Sequence, residues 1–348
     1  MNRVHVVQYG LGPIGMECIR ALLRRPGLEL VGAVDMDPQK VGKDAGLLAG
    51  AGRELGILVE PEPKQLLRRV QPEVVLHTTQ STLEAVAQQV RLCVEAGAHV
   101  ISSTEELFWP WHRHPDLAAE LDRKAQEAGV VIVGTGVNPG FVMDVFPLVL
   151  TSQCVEVRRI EVRRVVDAAK RRLPLQRKVG AGLRPEEFRA LADGGKLGHV
   201  GLVESLFCLA STLGWKLDSV DEKLVPVLAD REVSTPYLTV TPGCVAGIRH
   251  ACRGLVGGRE VIFLELQMYV GAEAPHDEVR IDGDPPVHVV VPGGIFGDTA
   301  TVASLLNAIP RVLAAKPGLR TMPELSLPHG IAWATNTEEK GGDDGRRG

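Results

Sequence analysis

The sequence predicts an α/β protein: a Rossmann-type doubly wound parallel sheet, then an α+β substrate and dimerisation domain with an open, largely antiparallel sheet. Three observations predict it. The segment Val4-His-Val-Val-Gln-Tyr-Gly-Leu-Gly-Pro-Ile-Gly15 is a β-branched run that ends in Gly10-x-Gly12-x-x-Gly15 and opens into a helical pattern from Met16 to Leu23. Strand-like and helical segments then alternate as far as Thr135, the rhythm of a parallel sheet with crossover helices. Past Val149 long strand-like runs are grouped together instead, which suits an open antiparallel sheet.

The first segment has the strand–turn–helix context in which three spaced glycines mean dinucleotide binding. Gly10 allows the tight turn, Gly12 lets the backbone approach a diphosphate, and Gly15 lets the helix pack closely on the strand. Pro13 suits the first helical turn, where a missing N–H costs nothing. Leu11 and Ile14 complete the turn, whose free N–H groups and helix dipole favour an anion. A tight βα turn without a ligand is the competing reading. The second strand, Leu28–Asp35, weighs against it, because Asp35 lies twenty residues beyond Gly15. An acid there accepts hydrogen bonds from the adenosine ribose, although an Asp before Pro38 also caps helices. Lys40 and Lys43 follow and reach a 2′-phosphate, so both NAD(H) and NADP(H) stay open.

The alternation continues with a strand at Ile57–Glu60, a helix at Lys64–Val70, a strand at Glu73–Thr78 and a helix from Thr82 to Ala96. A strand at Ala98–Ser102, a helix at Pro115–Ala128 and a strand at Val130–Thr135 complete the sheet. Beyond it, Val155–Val166 is strand-like and a basic segment with Lys170, Arg171, Arg172, Arg177 and Lys178 follows. Helices are expected near Pro185–Ala192 and Val200–Leu213, and strands over Tyr237–Val240, Cys244–Leu255, Glu260–Val270, Val279–Ile281 and Val287–Val291. Thr299–Ala315 is amphipathic, with Val302, Leu305, Leu306, Ile309 and Val312 on one face. Asp298 reads as its N-cap, and the helix is expected to return to the first domain. The division is therefore 1–150, completed by 296–330, as a dinucleotide-binding domain, and 151–295 as a substrate and oligomerisation domain. The glycine-rich, charged tail 337–348 is expected to be disordered.

Bulk properties narrow the function. The 348 residues amount to about two domains. A net charge of −4 gives no reason to expect nucleic acid or acidic membrane as a partner. No apolar run approaches the ~20 residues of a membrane span, and the short first apolar segment reads as a strand rather than a signal peptide. Cys18, Cys93, Cys154, Cys208, Cys244 and Cys252 show no CxxC and no metal-ligand spacing. Free thiols and a reducing, cytoplasmic setting follow, with no metal expected; His112 and His114 lack the companion spacing of ligands. One face of the second sheet is left to cover, which points to a homodimer.

Ligands of doubly wound sheets bind at the carboxyl ends of the strands. Those ends carry Thr78-Thr79-Gln80, Ser102-Ser103-Thr104-Glu105-Glu106 and Gly134-Thr-Gly-Val-Asn-Pro-Gly-Phe141. Thr78, Thr79, Gln80, Thr104, Asn138 and Pro139 are therefore expected beside the cofactor.

The segments Gln8–Gly15, Asp35-Met-Asp-Pro-Gln-Lys-Val-Gly-Lys-Asp44, Ser103-Thr-Glu-Glu-Leu107, Gly134-Thr-Gly-Val-Asn-Pro-Gly-Phe141, Gly297-Asp-Thr-Ala-Thr301 and Asn307-Ala-Ile-Pro310 resemble the 2,4-diaminopentanoate dehydrogenase family. That family also holds the native NAD(P)-dependent amine dehydrogenases. The likeness extends to about Pro328. The first half also resembles dihydrodipicolinate reductases, but no two histidines are adjacent, so their HHxxK signature is missing and that activity is set aside. The resemblance implies reversible oxidative deamination of a small amine or diamine to a ketone or aldehyde plus ammonia. It places the acid/base glutamate at Glu105 or Glu106, with Glu105, nearer the strand end, favoured. The competing reading makes both of them first-turn acids behind Thr104. Asn138 is implied to hold a carboxamide or substrate nitrogen, against a plain turn, and Phe141 to form an apolar wall. Arg164 (with Asp167), His199 and His250 are candidates to orient substrate, against ordinary structural roles. The basic run from Arg158 to Lys178 reads as a solvated or interfacial face. A hydroxy- or carbonyl-substrate dehydrogenase and a silent dinucleotide-binding protein remain the alternatives.

Overall fold

The computed structural model describes residues 3–195 and 197–330; the tail 337–348 lies outside them. The fold class is the one predicted. In the first part, the chain runs β1 (Val4–Tyr9), α1 (Pro13–Leu22), β2 (Leu28–Val34), α2 (Ala45–Leu48), β3 (Val59–Glu60), α3 (Pro63–Val70) and β4 (Val74–His77). It continues through α4 (Leu83–Glu95), β5 (His99–Ser102), α5 (Pro115–Ala128), β6 (Val131–Gly134) and α6 (Val145–Thr151). The second part holds β7 (Glu156–Asp167), α7 (Leu173–Lys178), α8 (Pro185–Asp193), α9 (Leu202–Thr212) and β8 (Ser219–Leu228). Next come β9 (Val233–Ser234), β10 (Thr239–Val240), β11 (Val245–Val256), β12 (Arg259–Tyr269), β13 (His276–Asp284) and β14 (Val287–Pro292). The chain then returns through α10 (Gly297–Leu313) and β15 (Gly318–Arg320).

The first sheet has the order β15-β6-β5-β4-β1-β2-β3, all parallel. Every residue of β4 and β6 is buried, as a sheet covered on both faces requires. Alternate residues feed opposite cores. Val6, Leu76, Ile101 and Val133 pack with α1 and α10, through Cys18, Ile19, Leu305 and Ile309. Val7, Val75, Val100 and Ile132 pack with α3, α4 and α5, through Leu66, Val86 and Leu121. The order reverses between β4 and β1, the switch point at which such sheets open a crevice.

The second sheet has the order β14-β13-β7-β12-β11-β8 and is antiparallel except for β7 with β12. Its inner face buries Ile160, Val162, Ile248, Leu264 and Val279 with Leu202, Leu206 and Leu209 of α9. The outer face is a mesh of charges, where Arg159 bonds Glu260 and Glu161, and Arg163 bonds Glu161. Arg163 and Arg253 both lie over the Phe263 ring, at 5.6 and 5.5 Å.

Several expectations need correction. β8 and β15 were not anticipated: β8 is polar at its start and β15 has only three residues. The run Tyr237–Val240 contributes only the two residues of β10, paired with β9. Asp298 is not the cap of α10; Phe296 holds that position and Asp298 sits in the first turn. The basic run is not one face. Residues two apart on a strand share a side and neighbours do not, so Arg163 lies in the outer mesh while Arg164 is buried. All six cysteines are free, and Cys18, Cys93, Cys208 and Cys252 are buried. No described helix is long and apolar enough to cross a membrane.

Candidate active site

A cleft of about 310 Å³ opens at the switch point, between the carboxyl ends of the first sheet and the inner face of the second. One wall is the glycine turn. Gly10 has φ +90°, and a Cβ there would stand 2.6 Å from the Thr78 carbonyl oxygen. A Cβ on Gly15 would stand 1.9 Å from the Gly10 oxygen, whereas one on Gly12 would meet nothing. The outer two glycines therefore close the turn, and the middle one leaves room above it. Gln8 Nε2, absent from the sequence reading, donates to the Gly10 oxygen at 3.0 Å and to Thr78 Oγ1 at 2.8 Å. Thr78 Oγ1 in turn donates to the Gly10 oxygen at 2.9 Å. Gly12, Pro13 and Ile14 line the cleft at the start of α1, which has no side-chain cap and no acid in its first turn.

Asp35 stands at the end of β2, behind Leu11, outside the cleft proper. Its carboxylate accepts from the N–H groups of Leu11 at 2.7 Å and Asp37 at 2.9 Å, and from Lys40 Nζ at 3.1 Å. Burial works to raise its pKa, but these donors together hold it below the ordinary carboxylate value. Lys40 also pairs with Asp37 at 3.4 Å.

The next wall comes from β4, β5 and β6. Thr78, Thr79, Gln80 and Ser81 line the cleft after β4, and Ser103 and Glu105 after β5. Thr104 is buried behind them and donates from Oγ1 to the Gln80 oxygen at 2.8 Å. The two glutamates open a 3-10 turn, Glu105–Phe108, and diverge. Glu106 turns away: its Oε2 accepts from the Leu83 N–H at 2.8 Å and His114 Nε2 at 2.9 Å, tying the starts of α4 and α5 together. Glu105 faces the cleft. Burial raises its pKa, opposed by the positive charge of Lys178 and a hydrogen bond from Ser81.

After β6, Gly136, Val137, Asn138 and Pro139 line the cleft. Asn138 Oδ1 is buried with no hydrogen-bond partner among the described residues, an acceptor left with spare capacity. The loop is held from below by Asp144, also absent from the sequence reading. Its carboxylate accepts from the Gly140 N–H at 3.0 Å, the Val145 N–H at 2.6 Å and Ser205 Oγ at 2.7 Å. Burial still pushes Asp144 up to about 6. Phe141 is not in the cleft wall. It stacks on Phe146 at 5.7 Å, packed against both large cores. The apolar wall is instead Val137, Leu175, Val179, Ile248 and Met268.

The second part supplies the cations. Arg164 lines the cleft but is already paired, with Nη1 at 2.8 and 2.9 Å from the Asp277 oxygens and Nη2 at 2.7 Å from the Ile295 oxygen. Asp167, the expected partner, accepts from the Ala169 and Gly271 N–H groups instead. Arg171 and Arg172 share Asp298. Lys178, at the end of α7, lines the cleft and forms no ion pair with any described residue. His199 lines it too, with Nε2 unpartnered. Burial, then the charges of Lys178, His250 and Arg164, push its pKa down to about 3, so it is neutral at physiological pH. His250 lies outside the cleft, its Nε2 2.9 Å from Glu222 Oε1. His112 stacks on Phe207 at 3.9 Å between ring centres. Among the described residues no group of three or more His, Cys, Asp or Glu could hold a metal.

These residues fit a dinucleotide. The open space over Gly12 and the uncapped helix start suit a diphosphate, and the unpartnered Asn138 oxygen suits a carboxamide N–H.

Comparisons with known proteins agree with this fold. Residues 141–340 match the model of the 2,4-diaminopentanoate dehydrogenase C-terminal domain, and residues 4–135 match that of the dihydrodipicolinate reductase N-terminus. The chain is 32% identical to a 2,4-diaminopentanoate dehydrogenase of Acetoanaerobium sticklandii, covering 95% of this chain and 96% of the relative. It is 25% identical to an amine dehydrogenase of Streptomyces virginiae, covering 93% and 96%. The solved structure of an amine dehydrogenase from Mycobacterium smegmatis superposes with a TM-score of 0.85 at 26% identity, covering 94% of this chain and 97% of that one. With this fold and a relative 32% identical over more than nine-tenths of both chains, the chain belongs to the 2,4-diaminopentanoate dehydrogenase family of oxidoreductases acting on CH–NH2 groups.

Proposed function

We propose that this protein is an NAD(P)-dependent amine dehydrogenase that deaminates a small amine reversibly, with Glu105 as its acid/base. One observation carries the assignment. The cleft holds two carboxylates, Glu105 and Asp298; Asp298 is taken by two arginines, and Glu105 alone has no ion-pair partner among the described residues. Glu106, bonded to Leu83 and His114, is read as structural.

Gly10–Gly15 would hold the diphosphate of the dinucleotide, Asp35 its adenosine ribose, and Asn138 its nicotinamide end. When bound, it takes the hydride from the amine carbon or returns it. In deamination the Glu105 carboxylate removes a proton from the substrate ammonium, freeing the nitrogen lone pair, and passes that proton to solvent in the cleft, which restores its charge. As the carbon loses its hydride, the Glu105 carboxylate stabilises the iminium by charge. Glu105 then accepts a proton from the water that attacks the iminium, returns it to nitrogen, and takes the hydroxyl proton as the C–N bond breaks and ammonia leaves the carbonyl. A carboxyl whose pKa is raised by burial and restrained by Lys178 suits a proton that must go both ways. His199, held neutral, adds no charge to compete with the cationic substrate.

Two finer readings follow. Lys178, unpaired and facing the cleft, supports a substrate with a carboxylate on the far side of its reacting carbon, as the name of the 32% identical relative implies, over a simple alkyl amine. Asp35 and Asp37 beside Lys40 support NAD(H) over NADP(H), since a 2′-phosphate would meet two carboxylates. The two-domain division and a homodimer across the outer face of the second sheet remain part of this reading. Mass measurement in solution tests the dimer.

The test is reductive amination with NADH and NADPH in parallel, offering a keto acid and the matching neutral ketone with and without ammonium. Ammonium-dependent nicotinamide oxidation is expected. Hydride transfer that ignores ammonium would favour a hydroxy- or carbonyl-substrate enzyme, and tight NADH binding without turnover a silent binding protein.

A further inference from the structure

Two guanidiniums in the cleft share one carboxylate, and they line it together with the glycine turn. Arg171 and Arg172 follow β7 and converge on Asp298. Arg171 Nη2 lies 2.6 Å from Oδ1, while Arg172 reaches Oδ2 from Nε at 3.1 Å and Oδ1 from Nη2 at 3.5 Å. The two are held differently. Arg171 is buried, with its guanidinium 5.1 Å above the Phe296 ring. Arg172 is 39% exposed and makes the longer bonds. A single carboxylate neutralises a single guanidinium, so the pair leaves a net positive charge here.

That charge is placed for an anion. Arg172 lines the cleft together with Gly12, Pro13 and Ile14. It also lines the adjoining hollow formed by Pro13, Ile14, Met16 and Asp298, so it borders both hollows at the start of α1. That helix start has no side-chain cap and no first-turn acid, and Gly12 has open space above it. The buried Nε of Arg171 has no hydrogen-bond partner among the described residues, so Arg171 keeps a donor free to hold Asp298 more closely.

We propose that Arg172 is a clamp on the diphosphate of the bound dinucleotide. Its guanidinium exchanges Asp298 for diphosphate oxygens, and Asp298 stays with Arg171. The fork of a guanidinium matches phosphate oxygens as well as it matches a carboxylate. The second part of the chain thereby helps to hold a cofactor whose other contacts lie in the first part. The proposal rests on the dinucleotide reading but not on the amine chemistry, and binding tests it without turnover.

The experiment titrates wild type, Arg172→Gln, Arg172→Lys and Asp298→Asn with NADH by fluorescence, and with ADP-ribose and adenosine by calorimetry. Arg172→Gln is expected to weaken NADH and ADP-ribose on the order of tenfold, the size of one charge-assisted hydrogen bond. Adenosine, which lacks the diphosphate, should bind within twofold of wild type, and Arg172→Lys should recover part of the loss. Asp298→Asn, which frees the clamp, should bind NADH at least as tightly as wild type. Unchanged NADH and ADP-ribose binding in Arg172→Gln would overturn the proposal. So would equal losses for adenosine and ADP-ribose, or equal weakening by Asp298→Asn and Arg172→Gln, since either pattern marks an ion pair that only supports the fold.

Discussion

The two walls of the cleft are built in different ways. On the first-sheet side, polar groups are fixed by backbone at the ends of neighbouring strands. Thr78 and Gln8 hold the Gly10 carbonyl, Asp35 accepts from two N–H groups, and Thr104 holds the Gln80 carbonyl. On the second-sheet side, charged side chains hold one another across the chain: Arg164 with Asp277, 113 residues apart, and Arg171 with Asp298, 127 apart. Lys178 is left over. The first wall is a rigid cradle for a ligand of fixed shape. The second is an arrangement of charges in which partners can be exchanged, and there substrate choice would lie.

Glu105 stands where the walls meet, and the largest expected effect falls on it. Glu105→Gln should lower the amination rate by about 10³-fold, within the range of a general acid/base, with NADH affinity held within twofold. Glu106→Ala should do the reverse, keeping turnover within a few-fold while thermal stability drops by about 1–2 kcal/mol for the lost acceptor of Leu83 and His114. Steady-state kinetics and melting curves on the pair read both.

Next in size is the second wall. Lys178→Met should raise KM for a keto acid by at least about tenfold relative to the matching neutral ketone. It also removes the cation that opposes the upward shift of Glu105, so the acid limb of the kcat/KM profile should move to higher pH. An unmoved limb would separate Lys178 from Glu105. On the first wall, Asp35→Ser should weaken NADH by about tenfold and reduce its advantage over NADPH, as parallel titrations would show.

The smallest effect concerns the support beneath Asn138. Asp144 is raised from the ordinary 3.8 to about 6 by burial. The folded protein therefore binds this proton more tightly than the unfolded chain does. Stability from this group is fully present below about pH 4 and declines as pH rises to about 6. Asp144→Asn should flatten that part of the stability curve, measured by denaturant unfolding between pH 4 and 7.

The same contrast explains what could be read from the sequence. The glycine turn, the strand ends and the place of Asp35 after β2 were legible because they are set by backbone conformation at short spacing. Gly10, Gly12 and Gly15 mark a turn whatever the rest of the chain does. Gln8 and Asp144 were missed because a buried side chain that holds a loop looks like any other polar residue on a strand or near a helix start. The basic run misled for a different reason. Period two splits Arg163 from Arg164, and the end of β7 carries Arg171 and Arg172 to the cleft, so one run serves three environments. Phe141 was expected at the substrate and lies between two cores, because an aromatic after a glycine turn serves packing as readily as binding.

The most direct test of Glu105 is the pH dependence of single-turnover hydride transfer in wild type, Glu105→Gln and Glu106→Gln, which isolates chemistry from product release. The account predicts one carboxyl limb shared by wild type and Glu106→Gln and missing from Glu105→Gln. A limb that persists in Glu105→Gln, or vanishes in Glu106→Gln, would contradict it.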